Sequence, residues 1–249
     1  MINNTEVKKF SDENVWKYVF HFENAIAEAV LYRYNTFAER TVMCVSVQSG
    51  CPVGCVFCGT GKKFIRNLTI EEIEYQVAYL YKEIIEMEKP LSFAKFQIMF
   101  MSMGEPMLNW DNVKRAIACL NLTYPYAQLL LSTIGINNKK VLQEIINISK
   151  FISKVGLQFS IHDSIDSYRN DLIPFKSKLT LQEIRNYGVY WSRETGRQVY
   201  LNYCVSDDSG LTYKIDELFK LFDPYSFAFT FSVICEKEQG KESIDNISD

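Results

Sequence analysis

Cys51-Pro-Val-Gly-Cys55-Val-Phe-Cys58 places three thiols at steps of four and three residues on one short stretch of chain. Thiolates so spaced on a loop can fold around a single metal centre. Three ligands are one short of a closed structural zinc or iron–sulfur site. In a [4Fe–4S] cubane that leaves one iron open, as a cluster requires if it is to bind substrate or cofactor directly. A zinc knuckle with a distant fourth ligand, or three core cysteines, are the other readings of the same residues. The chain has seven cysteines, an odd number, and Met1-Ile-Asn-Asn-Thr5 lacks the order of an export signal. Both facts favour thiols and metal ligands over a disulfide frame.

The elements that must position these thiols can be read from periodicity. Residues 17–33 alternate in polarity around Glu23-Asn24, as in a hairpin with one covered face. Strands are expected at 41–47, 95–102, 127–132, 155–161, 198–204 and 226–234, and helices at 69–88, 110–121, 137–149, 180–194 and 211–222. Thr69 and Glu72 have the capping-box spacing, and Ile73, Val77, Leu80, Ile84 and Met87 mark one buried helical face. Such alternation implies a mostly parallel sheet with right-handed crossovers, an α/β fold. Six strands and five helices make a partial (β/α)6 barrel preceded by a β-hairpin. One domain over 1–249 is expected, with a hairpin at 15–35, the barrel at 41–235 and a polar, mobile tail at 236–249. The thiols follow the first parallel strand, where barrel chemistry gathers. Other strand ends carry polar or Gly-rich loops: Met103-Gly104-Glu105-Pro106, Ser132-Thr-Ile-Gly135 and Ser160-Ile-His162. An ordinary turn and a capped core histidine are the plainer readings of Gly104-Glu105-Pro106 and His162. Cys119 and Cys204 are expected in core packing.

Of the 249 residues, 47% are hydrophobic and 14% aromatic, ample for a buried core and contrary to a disordered scaffold. The 27 basic and 30 acidic side chains give a net charge of −3, with a pI near 5.6, so no basic excess advertises nucleic-acid binding. No apolar run is long enough to suggest a membrane span, and a cytoplasmic protein is expected.

The cysteine motif, with Phe57 in the aromatic place before the last thiol, resembles the signature of the radical S-adenosylmethionine (SAM) superfamily. That resemblance implies a [4Fe–4S] cluster on Cys51, Cys55 and Cys58, whose open iron chelates the amino and carboxylate groups of SAM. It implies reductive cleavage of SAM to a 5′-deoxyadenosyl radical, with an electron donor such as flavodoxin or ferredoxin. Within the superfamily, the stretch from about Tyr18 to Ile234 is similar to the adenine-carbon methyl synthases of ribosomal and transfer RNA, the RlmN/Cfr type. The likeness rests on Thr41-Val-Met-Cys44-Val-Ser-Val-Gln-Ser-Gly-Cys51, Arg66-Asn-Leu-Thr69 and Met103-Gly-Glu-Pro-Met-Leu-Asn109. It continues through Phe159-Ser-Ile-His162, Arg169 and Leu172-Ile-Pro174. By this likeness Phe57, Gly104, Glu105, Ser132, Ser160, Ile161 and His162 form the SAM site, and Glu236 joins it from the last strand end. Glu28 falls where the family keeps a proton acceptor, and Cys44 where it keeps a thiol that resolves a covalent intermediate. A solvent-facing strand glutamate and a small core hydrophobe are the plainer readings of these two.

The likeness breaks at both ends. The family carries an RNA-binding domain ahead of the hairpin, which here begins almost at once, and a methyl-carrying cysteine in a stretch like Ala-Ala-Cys-Gly-Gln. This chain ends Ser243-Ile-Asp-Asn-Ile-Ser-Asp249, and its last cysteine is Cys235. Three explanations stand: radical hydrogen abstraction without methyl transfer, Cys235 in place of the missing thiol, or a further segment or partner protein. The first leads to the expectation of a small-molecule substrate, a nucleoside or nucleotide, and of no large RNA partner. The alternative is an RlmN/Cfr-like methyltransferase acting on adenine in RNA.

Overall fold

Alternating polarity from Val15 to Tyr34 does form antiparallel strands, and one more precedes them. The computed structural model describes residues 5–205 and 211–233. In chain order the strands and helices are β1 (Glu6–Asp12), β2 (Val15–Phe22), β3 (Ala25–Tyr34), β4 (Arg40–Val45), β5 (Gln48–Gly50), β6 (Phe64–Asn67), α1 (Ile70–Met87), β7 (Lys95–Phe100), α2 (Trp110–Thr123), β8 (Gln128–Thr133), α3 (Lys139–Phe151), β9 (Val155–Ser160), α4 (Asp166–Leu172), α5 (Leu181–Thr195), β10 (Val199–Val205), α6 (Leu211–Leu221) and β11 (Phe227–Val233). All six expected barrel strands and all five expected helices are present within a few residues of their expected ends. The chain divides into two compact units, one of Met1–Cys51 with Phe64–Leu131, the other of Pro52–Lys63 with Ser132–Asp249.

In the first unit β1, β2, β3 and β4 run antiparallel in turn, and β4, β7 and β8 then run parallel. The hairpin is therefore a three-stranded meander. The additional strand β1 pairs fully with β2, from Glu6 opposite His21 to Asp12 opposite Val15. Its Lys8-Lys9-Phe-Ser-Asp12 is too polar for alternation to reveal, and most of β1 is exposed. One face of the meander is apolar because Tyr18, Phe20, Ala27, Ala29 and Leu31 recur at every second residue, each fully buried. Tyr75 and Tyr79 of α1 meet the Phe20 ring edge-on, at 6.0 and 5.5 Å.

The capping box predicted for α1 is formed, Thr69 and Glu72 each bonding the other's backbone N–H. Ile73, Val77, Leu80 and Ile84 are fully buried, each contributing about 1.5–3 kcal/mol by area. Met87, expected on that face, is the last residue of α1 and is 37% exposed.

In the second unit β9, β10 and β11 run parallel. α3 packs on α5 and β9, and α5 on β10. The short helix α4 was not expected, because Asp166-Ser-Tyr-Arg-Asn-Asp-Leu172 is too brief and polar to show a period. Cys235, Glu236 and the polar tail 236–249 lie outside the described residues. Among the described residues no helix is long and apolar enough to cross a membrane.

Gly188 in α5 is required by packing. A Cβ there would stand 2.4 Å from Cε1 of Phe227, whose ring is boxed in by Phe222 at 4.9 Å. Gly188→Ala should lower the urea midpoint, equivalent to about 1–3 kcal/mol, despite alanine's better helix propensity.

Candidate functional site

The stretch leading to the cysteines is held by the side chains of Gln76, Asn109 and Gln48. Gln76 of α1 accepts from Ser46 N (2.9 Å) and donates to Ser46 O (3.1 Å). Asn109 Nδ2 donates to Val47 O (2.7 Å) and Leu68 O (2.8 Å). Gln48 Oε1 accepts from Glu105 N (2.8 Å), and its Nε2 donates to Asn67 Oδ1 (2.8 Å). Gly104, at φ +98°, would place a Cβ 2.6 Å from Gln48 Cβ. Its missing side chain thus makes room for Gln48, and only its backbone is left to meet a ligand. Glu105 is 3% exposed and accepts from Met107 N (3.0 Å), capping the short turn Pro106–Asn109. β5 and β6 form a small separate hairpin in this region, too short to read from sequence.

The face of this sheet opposite α1 carries Glu28 and Cys44. Val30 pairs with Cys44 and Val19 with Glu28, so Glu28 lies diagonal to Cys44 on one face. Lys17, on the same face of β2, donates to Glu28 Oε1 at 2.8 Å. Glu28 is therefore a paired carboxylate on a partly covered face, where the plainer reading would have it face solvent. Cys44 is buried, and burial pushes its thiol up to about 12, so it is protonated at neutral pH.

The second unit holds Cys55, Phe57 and Cys58. Val56 N donates to Leu172 O (3.0 Å), tying the loop to the end of α4. Gly61, which the sequence did not single out, would set a Cβ 3.1 Å from Cys55 N and 3.2 Å from Cys55 O, so the chain can double back only because Gly61 lacks one. The Phe57 ring stands edge-on to His162, with centroids 4.8 Å apart.

Beneath this loop lies Arg169, fully buried. Its guanidinium donates to Leu179 O (2.8 Å), Ile134 O (2.7 Å) and, at 3.3 Å, Ser160 O. It thereby fixes the ends of β8 and β9 together. Burial draws its pKa down to about 10, opposed by Asp166 and Cys55. Lys178 lies within electrostatic reach of Cys55 as well.

His162 has φ +58°, a left-handed backbone at a strand end. Its Nδ1 accepts from Cys204 N (3.1 Å), which puts the proton on Nε2. Burial, and secondarily Arg169, lower its pKa to about 4, so it is a neutral donor.

β9 alternates two chemistries. Val155, Leu157, Phe159 and Ile161 face inward and are fully buried, while Gln158, Ser160 and His162 share the other face. Gln158 Nε2 donates to Ser132 Oγ at 3.4 Å. Ser132, Ser160 and His162 are thus brought to one polar face, as expected, but Ile161 belongs to the apolar one. Gln158 and Asn202 were missed, although the polar alternation Gln158-Phe-Ser160-Ile-His162 carries the signal. Cys119, expected in the core, is exposed, because it lies off the α2 stripe of Val113, Ala116, Ile117 and Leu120. Cys204, also expected there, is half-buried beside His162, since it points to the polar face.

Comparison with known proteins agrees with this arrangement. Residues 45–193 match the Radical SAM superfamily, and the chain belongs to that superfamily of enzymes. A probable dual-specificity RNA methyltransferase RlmN from Dictyoglomus thermophilum is 33% identical over 205 residues, 80% of this chain and 56% of that protein. One from Flavobacterium psychrophilum is 32% identical over 217 residues, 82% of this chain and 58% of that protein. The chain thus spans little more than half the length of these curated relatives. The crystal structure of a radical SAM methyltransferase from Sphaerobacter thermophilus superposes with a TM-score of 0.77 at 25% identity, covering 91% of this chain and 66% of that one. The fold is accordingly the parallel-strand α/β fold of radical SAM type, preceded by antiparallel strands.

Members of the superfamily use a [4Fe–4S] cluster and SAM, and the residues here fit both. Cys51, Cys55 and Cys58 form no disulfide and are each half-buried, which keeps three thiols for iron. Cys51→Ala, Cys55→Ala and Cys58→Ala should each lose the bound iron and sulfide and the brown colour of anaerobically prepared protein. Cys119→Ala should retain them in full, as metal and sulfide analysis will check.

As pH falls, the unfolded chain protonates His162 near pH 6.5, before the folded protein does near 4. The stability contributed by neutral His162 is complete above about pH 6.5 and is lost towards pH 4, on the order of 3 kcal/mol in all. His162→Gln should flatten that part of the stability–pH curve measured by urea unfolding.

Proposed function

We propose that this chain carries the catalytic part of an RlmN/Cfr-like radical SAM methyltransferase that acts on adenine in RNA. The observation that supports this most is the shared face of Glu28 and Cys44, since hydrogen abstraction alone requires neither residue. The names of the curated relatives support it further, and nothing among them favours the small-molecule substrate expected from the points where the likeness breaks.

Cys51, Cys55 and Cys58 would hold a cluster, which would supply the electron that cleaves SAM. The chain's own groups have distinct tasks. Arg169 fixes the strand ends that carry Ile134 and Ser160. His162 offers Nε2–H without carrying charge. The Glu28 carboxylate, paired with Lys17, is placed to take a proton from the substrate carbon. Cys44 holds its proton in reserve and can give it up only when a base or bound substrate changes its surroundings. An external reductant is required, a flavodoxin or ferredoxin by chemical class.

Anaerobic protein reconstituted with iron and sulfide, given SAM, a strong reductant and an adenine-containing RNA hairpin, should form both 5′-deoxyadenosine and S-adenosylhomocysteine. The RNA should gain the mass of a methyl group. Glu28→Gln should reduce methylated RNA at least tenfold and leave the iron content unchanged. Deoxyadenosine without S-adenosylhomocysteine, and RNA of unchanged mass, would overturn the reading. Cys235→Ala belongs in the same series, and S-adenosylhomocysteine formation that survives it excludes Cys235 as the methyl-accepting thiol.

A further inference from the structure

Asn202 of β10 is a polar side chain that the folding of the second unit does not fully use. It is 6% exposed and sits on the polar face, beside Ser160, its register partner on β9. Its Oδ1 accepts from Ser232 Oγ (2.8 Å) and Thr230 Oγ1 (3.2 Å), both on β11. These two bonds fix the amide's orientation. Nothing among the described residues accepts from its Nδ2. His162 repeats the pattern on the adjacent strand end, with Nδ1 occupied by Cys204 N and Nε2–H without a described acceptor.

A buried amide whose oxygen is taken and whose nitrogen is open selects a ligand by its acceptors. It cannot make the two-way amide contact that reads an adenine's donor and acceptor together, because its own acceptor is committed. This argues against Asn202 as a reader of the substrate base. The ligand of this face, on the reading above, is SAM, whose amino and carboxylate groups are taken by the cluster. The acceptors left to it are the ring nitrogens and ribose oxygens of the adenosyl half.

We infer that Asn202 is a SAM-binding residue, donating from Nδ2 to an acceptor of the adenosyl group beside Ser160 and His162. This rests on the assignment of the polar face to SAM. The hydroxyls of Thr230 and Ser232 serve as positioning groups, since they hold the amide with its nitrogen outward.

Asn202→Asp separates the donor from the rest, because a carboxylate still accepts from both hydroxyls and no longer donates. Affinity is measured by equilibrium dialysis on anaerobic, cluster-loaded protein. S-adenosylhomocysteine is the second probe, since it carries the adenosyl group without a sulfonium charge that a new carboxylate would attract. The dissociation constant for both ligands should rise at least tenfold, with iron and sulfide content unchanged. Asn202→Ser, too short to reach the ligand, should weaken both similarly and covers the case in which the aspartate variant fails to load its cluster. Wild-type affinity for S-adenosylhomocysteine in a loaded variant would overturn the assignment of Asn202. Failure of the unaltered protein to bind SAM would instead overturn the assignment of the whole face.

Discussion

A guanidinium taken fully out of water must find acceptors or destabilise the fold by several kcal/mol. Arg169 finds three backbone carbonyls, those of Ile134, Ser160 and Leu179, on separate segments of the second unit. Ile134 follows β8, Ser160 ends β9, and Leu179 precedes α5. Each of these carbonyls sits where a regular element stops and its ladder of hydrogen bonds gives out. One side chain therefore completes what the strands leave undone, and the loops bearing Ser132, Ser160 and His162 inherit its rigidity. The same charge depresses His162 and lies near Cys55, so position and electrostatics come from one residue.

The first unit solves its equivalent problem with neutral groups. Gln76, Asn109 and Gln48 are amides that bond both to backbone and to each other's neighbourhoods, holding residues 46–48 without burying a charge. The Lys17–Glu28 pair, on the face of the sheet opposite α1, keeps partial access to water, so its desolvation costs less.

Much of this was legible in the sequence because the determining signals are local and repetitive. Period-two alternation announced β2 and β3, and three- and four-residue steps announced α1. The thiol spacing announced the superfamily, and the polar ends of β8 and β9 announced a polar face. What escaped was of two kinds. β1, β5, β6 and α4 are short or polar, so they fold through partners distant in sequence and leave no period of their own. Gln48, Gly61, Lys17 and Asn202 act through contacts with residues such as Glu105, Cys55, Glu28 and Ser232, which no spacing rule relates to them. The close approach of Gly104 to Gln48 likewise leaves no mark in the sequence.

The web around residues 46–48 has one more consequence. Val47 N and Gln48 N both donate to Met103 O (2.8 and 3.2 Å), and Leu68 N donates to Val47 O (3.1 Å), so this stretch is knitted by protein alone. Cys51 follows β5 directly, so the first of the three thiols leaves a backbone whose course these bonds already set.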